Sequence, residues 1–132
     1  MEINRKTILL VDDEDFYREL LIEKIPKETS IKLTDISTAS SGTEAISLLE
    51  SGRTFDLIIS DYSMPNGTGV EILKYLNKNE NPTRLILFTN SINIEIPPHK
   101  ENFLGVIDKF DLPTLITTVQ SCLQREQVIK TS

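Results

Sequence analysis

Three aspartates follow apolar runs of the sequence, at points where strands are predicted to end. Asp12 and Asp13 come directly after residues 7–11, and Asp61 comes after residues 55–60. Short apolar runs bounded by polar residues are typical of buried parallel strands, and ligands of open α/β sheets bind outside the carboxyl ends of such strands. Three carboxylates at that edge would repel one another unless a hard cation lay among them. The pattern therefore predicts a divalent-metal site beside one reactive carboxylate.

Each polar residue at a strand end also has a simpler explanation when it is taken alone. Residues 12–15 are all acidic and could form a helix start that the helix macrodipole favours. Asp61 could be a turn residue, and Thr89 and Lys109 could be ordinary polar residues after strands. His99 is the only histidine of the chain, so a zinc site is not expected. The functional interpretation depends on the joint occurrence of the other residues.

Length and composition favour one acidic domain without a disulfide. The chain has 132 residues, the size of a single domain, and its net charge of -6 argues against nucleic acid or an anionic membrane as a partner. Cys122 is the only cysteine, and we expect it to be buried on a helix. The polar N-terminus does not resemble a signal peptide, and no apolar stretch approaches the roughly 20 residues that span a bilayer. We therefore expect a cytoplasmic protein.

Strand-like and helix-like segments alternate along the chain, which is the pattern of a parallel sheet with helices on both faces. The predicted strands span residues 7–11, 33–38, 55–61, 84–89 and 103–108. The predicted helices begin near Asp15, Ser41, Gly67 and Asp111, and Pro26 and Gly52 are expected to help end the first two.

The segment of residues 90–102, between the fourth and fifth predicted strands, does not fit this alternation. Ile92, Ile94 and Ile96 alternate with other residues as an extended chain would, and the tandem prolines at 97–98 bar an ordinary helix. We expect a short or irregular segment here. The isoleucines would either cover the sheet edge or present a patch for a partner.

The residues at the strand ends resemble those of the receiver domain of two-component response regulators. The resemblance covers residues 6–124, and Met64, Pro65 and Gly69 match the loop after the third aspartate. It rests on five positions in the right order: Asp12, Asp13, Asp61, Thr89 and Lys109. The resemblance implies a single receiver domain over residues 1–132 without an output domain. It also implies a doubly wound, flavodoxin-like sheet of five parallel strands in the order 2-1-3-4-5.

The resemblance implies that Asp61 accepts a phosphoryl group from a histidine kinase or a histidine phosphotransfer protein. Lys109 would place its charge on the phosphoryl oxygens, and the hydroxyl of Thr89 would donate a hydrogen bond to them. Such a protein is a phosphorelay switch with intrinsic autophosphorylation and autodephosphorylation chemistry, not an enzyme for a separate substrate. After phosphorylation it would act on an unknown downstream protein, and homodimers are possible.

Mg²⁺ is the cofactor that the resemblance implies. Asp13 and Asp61 would bind it directly, the backbone carbonyl of Ser63 would add an oxygen, and Asp12 would act mainly through water. Octahedral Mg²⁺ that keeps several of its waters suits so small a set of protein ligands.

Four positions depart from the pattern of the family. Lys109 is followed by Phe110 where a cis proline is usual, so the bond is either trans with a rebuilt loop or cis at a cost of about 3 kcal/mol. Val106 replaces the usual aromatic residue, Asn90 replaces a small residue, and Thr68 replaces an acidic one. These changes affect the output of the switch and leave its acceptor residues in place.

Two other functions compete with the phosphorylated switch. The first is a pseudo-receiver, a binding module that needs no phosphorylation; loss of Asp13, Thr89 or Lys109 would favour it, and all three are present. The second is a phosphatase of the haloacid dehalogenase type. That family places a second aspartate two residues after its nucleophile, and Ser63 stands there instead.

Overall fold

A five-stranded parallel sheet lies at the centre of the structure, a computed structural model that describes residues 5–131, with side chains described as far as residue 123. Its order is β2-β1-β3-β4-β5, which confirms the predicted topology. The strands are β1 (Ile8–Val11), β2 (Ile36–Ala39), β3 (Leu57–Ser60), β4 (Arg84–Thr89) and β5 (Phe103–Asp108).

Helices cover both faces of the sheet, as predicted. Within the described residues these are α1 (Asp15–Glu28), α2 (Gly42–Glu50), α3 (Gly69–Lys78) and α4 (Leu112–Thr131). Neighbouring residues of a strand point to opposite faces, so the apolar run of β1 serves two cores. Ile8 and Leu10 pack with residues of α1 and α4, whereas Leu9 and Val11 pack with residues of α2 and α3.

The second strand begins later than predicted. A strand was expected over residues 33–38, but Leu33–Asp35 form a 3₁₀ turn and β2 follows it. The carboxylate of Asp35 is buried and accepts a hydrogen bond from Arg5 Nε at 2.9 Å. The prediction was wrong because an ion pair with a residue far away in sequence holds Asp35 in the turn.

Helix α1 continues past Pro26, where the sequence predicted its end, and it stops only at Glu28. A proline disrupts a helix by removing one N–H donor and by crowding the preceding turn. Here the helix is closed after the proline by Thr29, whose N–H and hydroxyl both donate to the Ile25 carbonyl at 3.0 and 2.7 Å. One proline near the end of the helix therefore does not stop it.

The connection between β4 and β5 contains no helix at any of residues 90–102, which confirms the irregular segment. Ile96 packs against the core on the side of α2 and α3, whereas Ile92 is 89% exposed. The alternating isoleucines are thus divided between covering the sheet and facing solvent. Among the described residues every peptide bond is trans, including the one between Lys109 and Phe110.

Candidate functional site

Four polar side chains meet at the carboxyl ends of the strands. Asp12 follows β1, Asp61 follows β3, Thr89 ends β4 and Lys109 follows β5. All four residues are buried although all are polar. Backbone hydrogen bonds extend the sheet past the strands and fix these positions, since the Asp61 N–H donates to the Val11 carbonyl (2.9 Å) and the Lys109 N–H donates to the Thr89 carbonyl (3.1 Å).

The ammonium group of Lys109 lies at the centre of the site. Its Nζ is 2.8 Å from Asp12 Oδ2 and 2.9 Å from Asp61 Oδ2, and its side chain has no solvent exposure. The carboxylate of Glu14 is farther away, at 3.9 Å from Nζ. The ring of Tyr17 covers another side of the ammonium group, with its centroid also 3.9 Å from Nζ. The two carboxylates therefore share one cation.

The pKa values of Asp12 and Lys109 are both raised, but for different reasons. Burial is the largest influence on Asp12 and raises its pKa, aided by the charge of Asp61; the hydrogen bond and charge of Lys109 and the Glu14 N–H oppose it without cancelling it. Burial alone would lower the pKa of Lys109, but its hydrogen bonds and ion pairs with both aspartates outweigh burial and raise the pKa above its ordinary value. Lys109 therefore has two carboxylate partners, whereas Asp12 and Asp61 have this one ammonium group between them.

A cluster of carboxylates beside Lys109 could hold a metal ion. Asp12, Asp13, Glu14 and Asp61 each offer one oxygen, and these oxygens all lie within 4.8 Å of one another. Asp13 and Glu14 are exposed, whereas the other two are buried, so a cation would be reached from solvent. Hard oxygen ligands with an open, solvated side fit Mg²⁺. Glu14 had been interpreted only as part of an acidic helix start, and its proximity to Asp61 depends on the fold.

The loop after Asp61 is held closely on its α2 side. An added Cβ on Gly42 would lie 2.7 Å from the carbonyl carbon of Gly67, so neither glycine leaves room for a side chain. The Gly42 N–H donates to the Gly67 carbonyl at 2.9 Å, and the Thr43 N–H donates to the Asn66 carbonyl at 3.1 Å. Asn66 and Gly67 both have positive φ angles, of 62° and 109°. Ser63 is exposed in this loop, and its role as a carbonyl ligand remains a prediction.

Gly69 allows the backbone of α3 to approach Asp61. A Cβ at this position would collide with the Asp61 carbonyl oxygen and would lie 2.6 Å from Leu87 Cδ2. We expect Gly69→Ala to lower the free energy of unfolding by about 2 kcal/mol and to weaken Mg²⁺ binding, because the backbone at Asp61 must move. Urea unfolding and a Mg²⁺ titration would measure both effects.

The control for Gly69→Ala is Gly52→Ala. Gly52 has a φ of +98° and no atom within 4 Å of an added Cβ, so its substitution strains the backbone without crowding the site. It should lower stability and leave the Mg²⁺ affinity unchanged. An unchanged Mg²⁺ affinity in Gly69→Ala as well would contradict the role of Gly69 at the site.

Thr89 belongs to the site but is engaged elsewhere. Its hydroxyl donates to Ser91 Oγ and accepts from the Ser91 N–H, both at 3.2 Å. Within the described part of the chain, no hydrogen bond joins Thr89 to Asp61. The structure therefore places Thr89 at the predicted strand end and directs its hydroxyl toward the β4–β5 segment.

Tyr62 connects the loop after Asp61 with residues 90–102, and the sequence analysis did not identify it. Its N–H donates to Asp61 Oδ1 at 2.7 Å. Its hydroxyl accepts from the Glu95 N–H at 3.1 Å and lies 3.4 Å from the Glu95 carbonyl, to which it donates. Position next to Asp61 was the only signal in the sequence, because Glu95 belongs to a segment with no regular structure.

The comparison with protein families agrees with this geometry. The model of the response regulator receiver domain matches residues 8–120. The chain belongs to this family. Receiver domains are signalling modules of two-component systems, and the resemblance drawn from the strand-end residues is confirmed.

Individual receiver domains are similar over most of this chain. It is 33% identical to the regulatory protein AtoC of Escherichia coli (strain K12), over 97% of this chain and 27% of AtoC. It is 32% identical to the chemotaxis protein CheY of Pseudomonas aeruginosa, over 55% of this chain and 56% of CheY. The matched part of this chain thus spans about a quarter of the length of the first relative and about half of the second.

Solved structures share its fold. The response regulator TrrA of Thermotoga maritima, in complex with Mg²⁺-BeF, is 30% identical with a TM-score of 0.75, over 89% of this chain and 98% of TrrA. A chain in the complex of the histidine kinase ThkA with TrrA is 31% identical with a TM-score of 0.73, at the same coverage. Among the described residues of the present receiver domain, none of the helices combines the length and apolar composition needed to cross a membrane.

Proposed function

We propose that this receiver domain is a phosphorylation-dependent switch in which Asp61 accepts a phosphoryl group from a histidine kinase or a histidine phosphotransfer protein. The observation that carries the proposal is the ammonium group of Lys109, buried between Asp12 and Asp61 at the edge where four strands end. The likeness to TrrA, solved with Mg²⁺-BeF and with a kinase, supports it. We take residues 6–124 as the unit that carries this function.

The proposed reaction is a direct transfer between two side chains. A carboxylate oxygen of Asp61 attacks the phosphorus of a phosphohistidine, an O–P bond forms, the P–N bond breaks, and the imidazole leaves with the electron pair and takes up a proton. Such a transfer needs positioning and charge stabilisation more than covalent help. Lys109 already lies 2.9 Å from Asp61, so its charge is in place for the phosphoryl oxygens.

Mg²⁺ would be held by Asp12, Asp13 and Asp61, with the carbonyl of Ser63 as a further proposed ligand. When bound, it supplies positive charge that offsets the charge of the phosphoryl oxygens. Ionised Asp12 is the form that attracts the cation. Because burial raises the pKa of Asp12, its share of the Mg²⁺ affinity should decline as the pH falls through that pKa.

Two exposed aromatic residues lie beside the site and could contact the donor protein. Phe16, near the start of α1, is 65% exposed, and Phe110, which follows Lys109, is 85% exposed. The ring of Phe16 makes an edge contact, at a centroid distance of 5.1 Å, with the Tyr17 ring that covers the Lys109 ammonium group. Apolar rings around a charged acceptor suit a protein partner that delivers a phosphohistidine.

The change at Asp61 would reach a separate downstream protein through residues 90–102. A phosphoryl group on Asp61 offers stronger acceptors to the Thr89 hydroxyl than Ser91 does, because its oxygens are charged. If the Thr89 hydroxyl turned toward the phosphoryl group, its hydrogen bond to Ser91 would break. The hydroxyl of Tyr62 joins the acceptor loop to Glu95 in the same segment. This route would take the place of the aromatic residue that is usual in the family at the position of Val106.

Removing the hydroxyl of Thr89 should uncouple phosphorylation from this response. Thr89→Ala should still accept a phosphoryl group, but the amide NMR shifts of residues 90–102 on phosphorylation should be smaller than in the wild-type protein. Thr117→Ala, a change of an exposed threonine on α4, is the matched control and should respond like the wild type. Equal shifts in Thr89→Ala and wild type would contradict the role of Thr89.

Mass spectrometry tests the proposed function directly. After incubation with Mg²⁺ and acetyl phosphate, the protein should gain the mass of one phosphoryl group, and omission of Mg²⁺ should greatly reduce the yield. A protein that binds Mg²⁺ but stays unmodified would refute the switch. The pseudo-receiver, a binding module independent of phosphorylation, would then be the better description.

A further inference from the structure

The ring of Tyr17 occupies the remaining open side of the Lys109 ammonium group. A lysine ammonium has three N–H donors and no acceptor. Two of its directions are used by Asp12 and Asp61, at 2.8 and 2.9 Å. The ring centroid of Tyr17 lies 3.9 Å from Nζ, within the range of a cation–π interaction, and the lysine side chain has no solvent exposure. The ring therefore takes a place that water would otherwise fill.

The position of this ring is fixed by other aromatic contacts. Tyr17 meets the buried ring of Phe88 edge to face, with centroids 6.4 Å apart and an interplanar angle of 88°. On its other side it meets Phe16 at 5.1 Å and 83°. Phe88 directly precedes Thr89 in β4, so the ring is supported by the same strand that carries another site residue. Edge-to-face pairs of this kind restrict the orientation of a ring.

We propose that Tyr17 is a positioning residue for phosphoryl transfer, whose ring holds the Lys109 ammonium beside Asp61. During transfer the acceptors of the ammonium change from carboxylate oxygens to phosphoryl oxygens. The attraction of a ring face for a cation depends on its distance from the centroid and does not require one N–H direction. The ammonium can therefore turn toward the new oxygens without losing this contact. This role rests on the proposed function of Asp61.

The test compares the affinities of Tyr17 variants for Mg²⁺ alone and for beryllofluoride in the presence of Mg²⁺, both followed by amide NMR. Tyr17→Phe keeps the ring and should bind beryllofluoride within about twofold of the wild type. Tyr17→Leu keeps an apolar side chain without a ring and should bind it roughly tenfold more weakly. Mg²⁺ alone should bind Tyr17→Leu no more weakly than the wild type, because a loosened Lys109 competes less for the carboxylates.

Several outcomes would overturn this role. Equal losses of Mg²⁺ and beryllofluoride affinity in Tyr17→Leu would show that Tyr17 only packs against the core. Unchanged beryllofluoride affinity in Tyr17→Leu, or the same loss in Tyr17→Phe, would exclude the ring–ammonium contact. Leu33→Ala, a change of an exposed apolar residue in the turn before β2, should leave both affinities unchanged. If Tyr17→Leu does not fold, Tyr17→Met takes its place, since the flexible methionine side chain fills irregular gaps.

The failure of the proposed function would look different. In that case the wild-type protein itself would not bind beryllofluoride in the presence of Mg²⁺, and Tyr17 would have no phosphoryl group to serve. Binding in the wild type with no difference among the Tyr17 variants would refute the positioning role alone.

Discussion

Asp61→Asn should gain no phosphoryl group under conditions in which the wild-type protein is modified nearly completely. An amide oxygen is a poor nucleophile, so the loss should exceed a hundredfold in rate, the size of effect expected when a covalent acceptor is removed. Acetyl phosphate with Mg²⁺ serves as the donor, and intact-mass spectrometry measures the yield. The fold should persist, because asparagine keeps the shape of the side chain and its oxygen can still accept from Lys109.

The matched control is Glu101→Gln, which removes an exposed carboxylate near β5 and should be phosphorylated like the wild type. Peptide mapping of the modified wild-type protein should place the phosphoryl group on the peptide that contains Asp61. Modification of Asp61→Asn to the wild-type extent, or mapping to Asp12 or Asp13 instead, would assign the acceptor role to another residue.

Lys109→Met should lower the free energy of unfolding by about 3 kcal/mol at neutral pH without Mg²⁺. The methionine leaves the buried carboxylates of Asp12 and Asp61 without their shared cation, and breaking a buried ion pair on one side is costly. Mg²⁺ should recover part of this loss, because it restores positive charge near both carboxylates. Urea unfolding with and without Mg²⁺ would measure the difference, and phosphorylation of this variant should be slow.

The pH dependence of this contribution follows from the raised pKa of Lys109. A base whose pKa is higher in the folded state stabilises the fold fully below its unfolded pKa, about 10.4 for lysine, and loses this contribution as the pH rises through the folded value. As the pH rises, the difference between wild type and Lys109→Met should therefore persist until the solution is strongly alkaline. As the pH falls, the difference should shrink when Asp12, whose pKa is raised by burial, becomes protonated.

Lys100→Met changes an exposed lysine and is the control for Lys109→Met. It should shift the free energy of unfolding by less than about 0.5 kcal/mol. Two observations would contradict the proposed pairing: equal stabilities of Lys109→Met and wild type without Mg²⁺, or a stability loss that Mg²⁺ does not reduce at all.

The position of the site was predictable from the polar residues that stand at the ends of the predicted strands. Strands β4 and β5 begin and end at the predicted residues because their apolar runs are bounded sharply by polar ones. Strand ends in a parallel sheet converge, which predicts that Asp12 and Asp61 lie together, and the resemblance to receiver domains adds Lys109 to them. The spacing of residues along the chain contained this information.

Contacts between distant side chains were not predictable in the same way. The sequence does not single out Tyr17, because its contact with Lys109 joins residues at opposite ends of the chain. The turn at Asp35, in place of the start of the predicted strand, likewise depends on a hydrogen bond with Arg5, which is distant in sequence. Prolines were also an uneven guide to helix ends. The tandem prolines at 97–98 lie in an irregular segment, as predicted, whereas Pro26 alone did not end α1.

The close contact between Gly42 and Gly67 limits the directions in which the loop after Asp61 can move. On that side, backbone lies directly against backbone, and no side chain can rearrange to admit a displacement. The loop also meets residues 90–102, through hydrogen bonds between the Tyr62 hydroxyl and the backbone of Glu95. We therefore expect the loop to move less readily toward α2 than toward the β4–β5 segment. In the proposed switch, this difference would direct the response of the loop toward residues 90–102, although position 106 is a valine and not an aromatic residue.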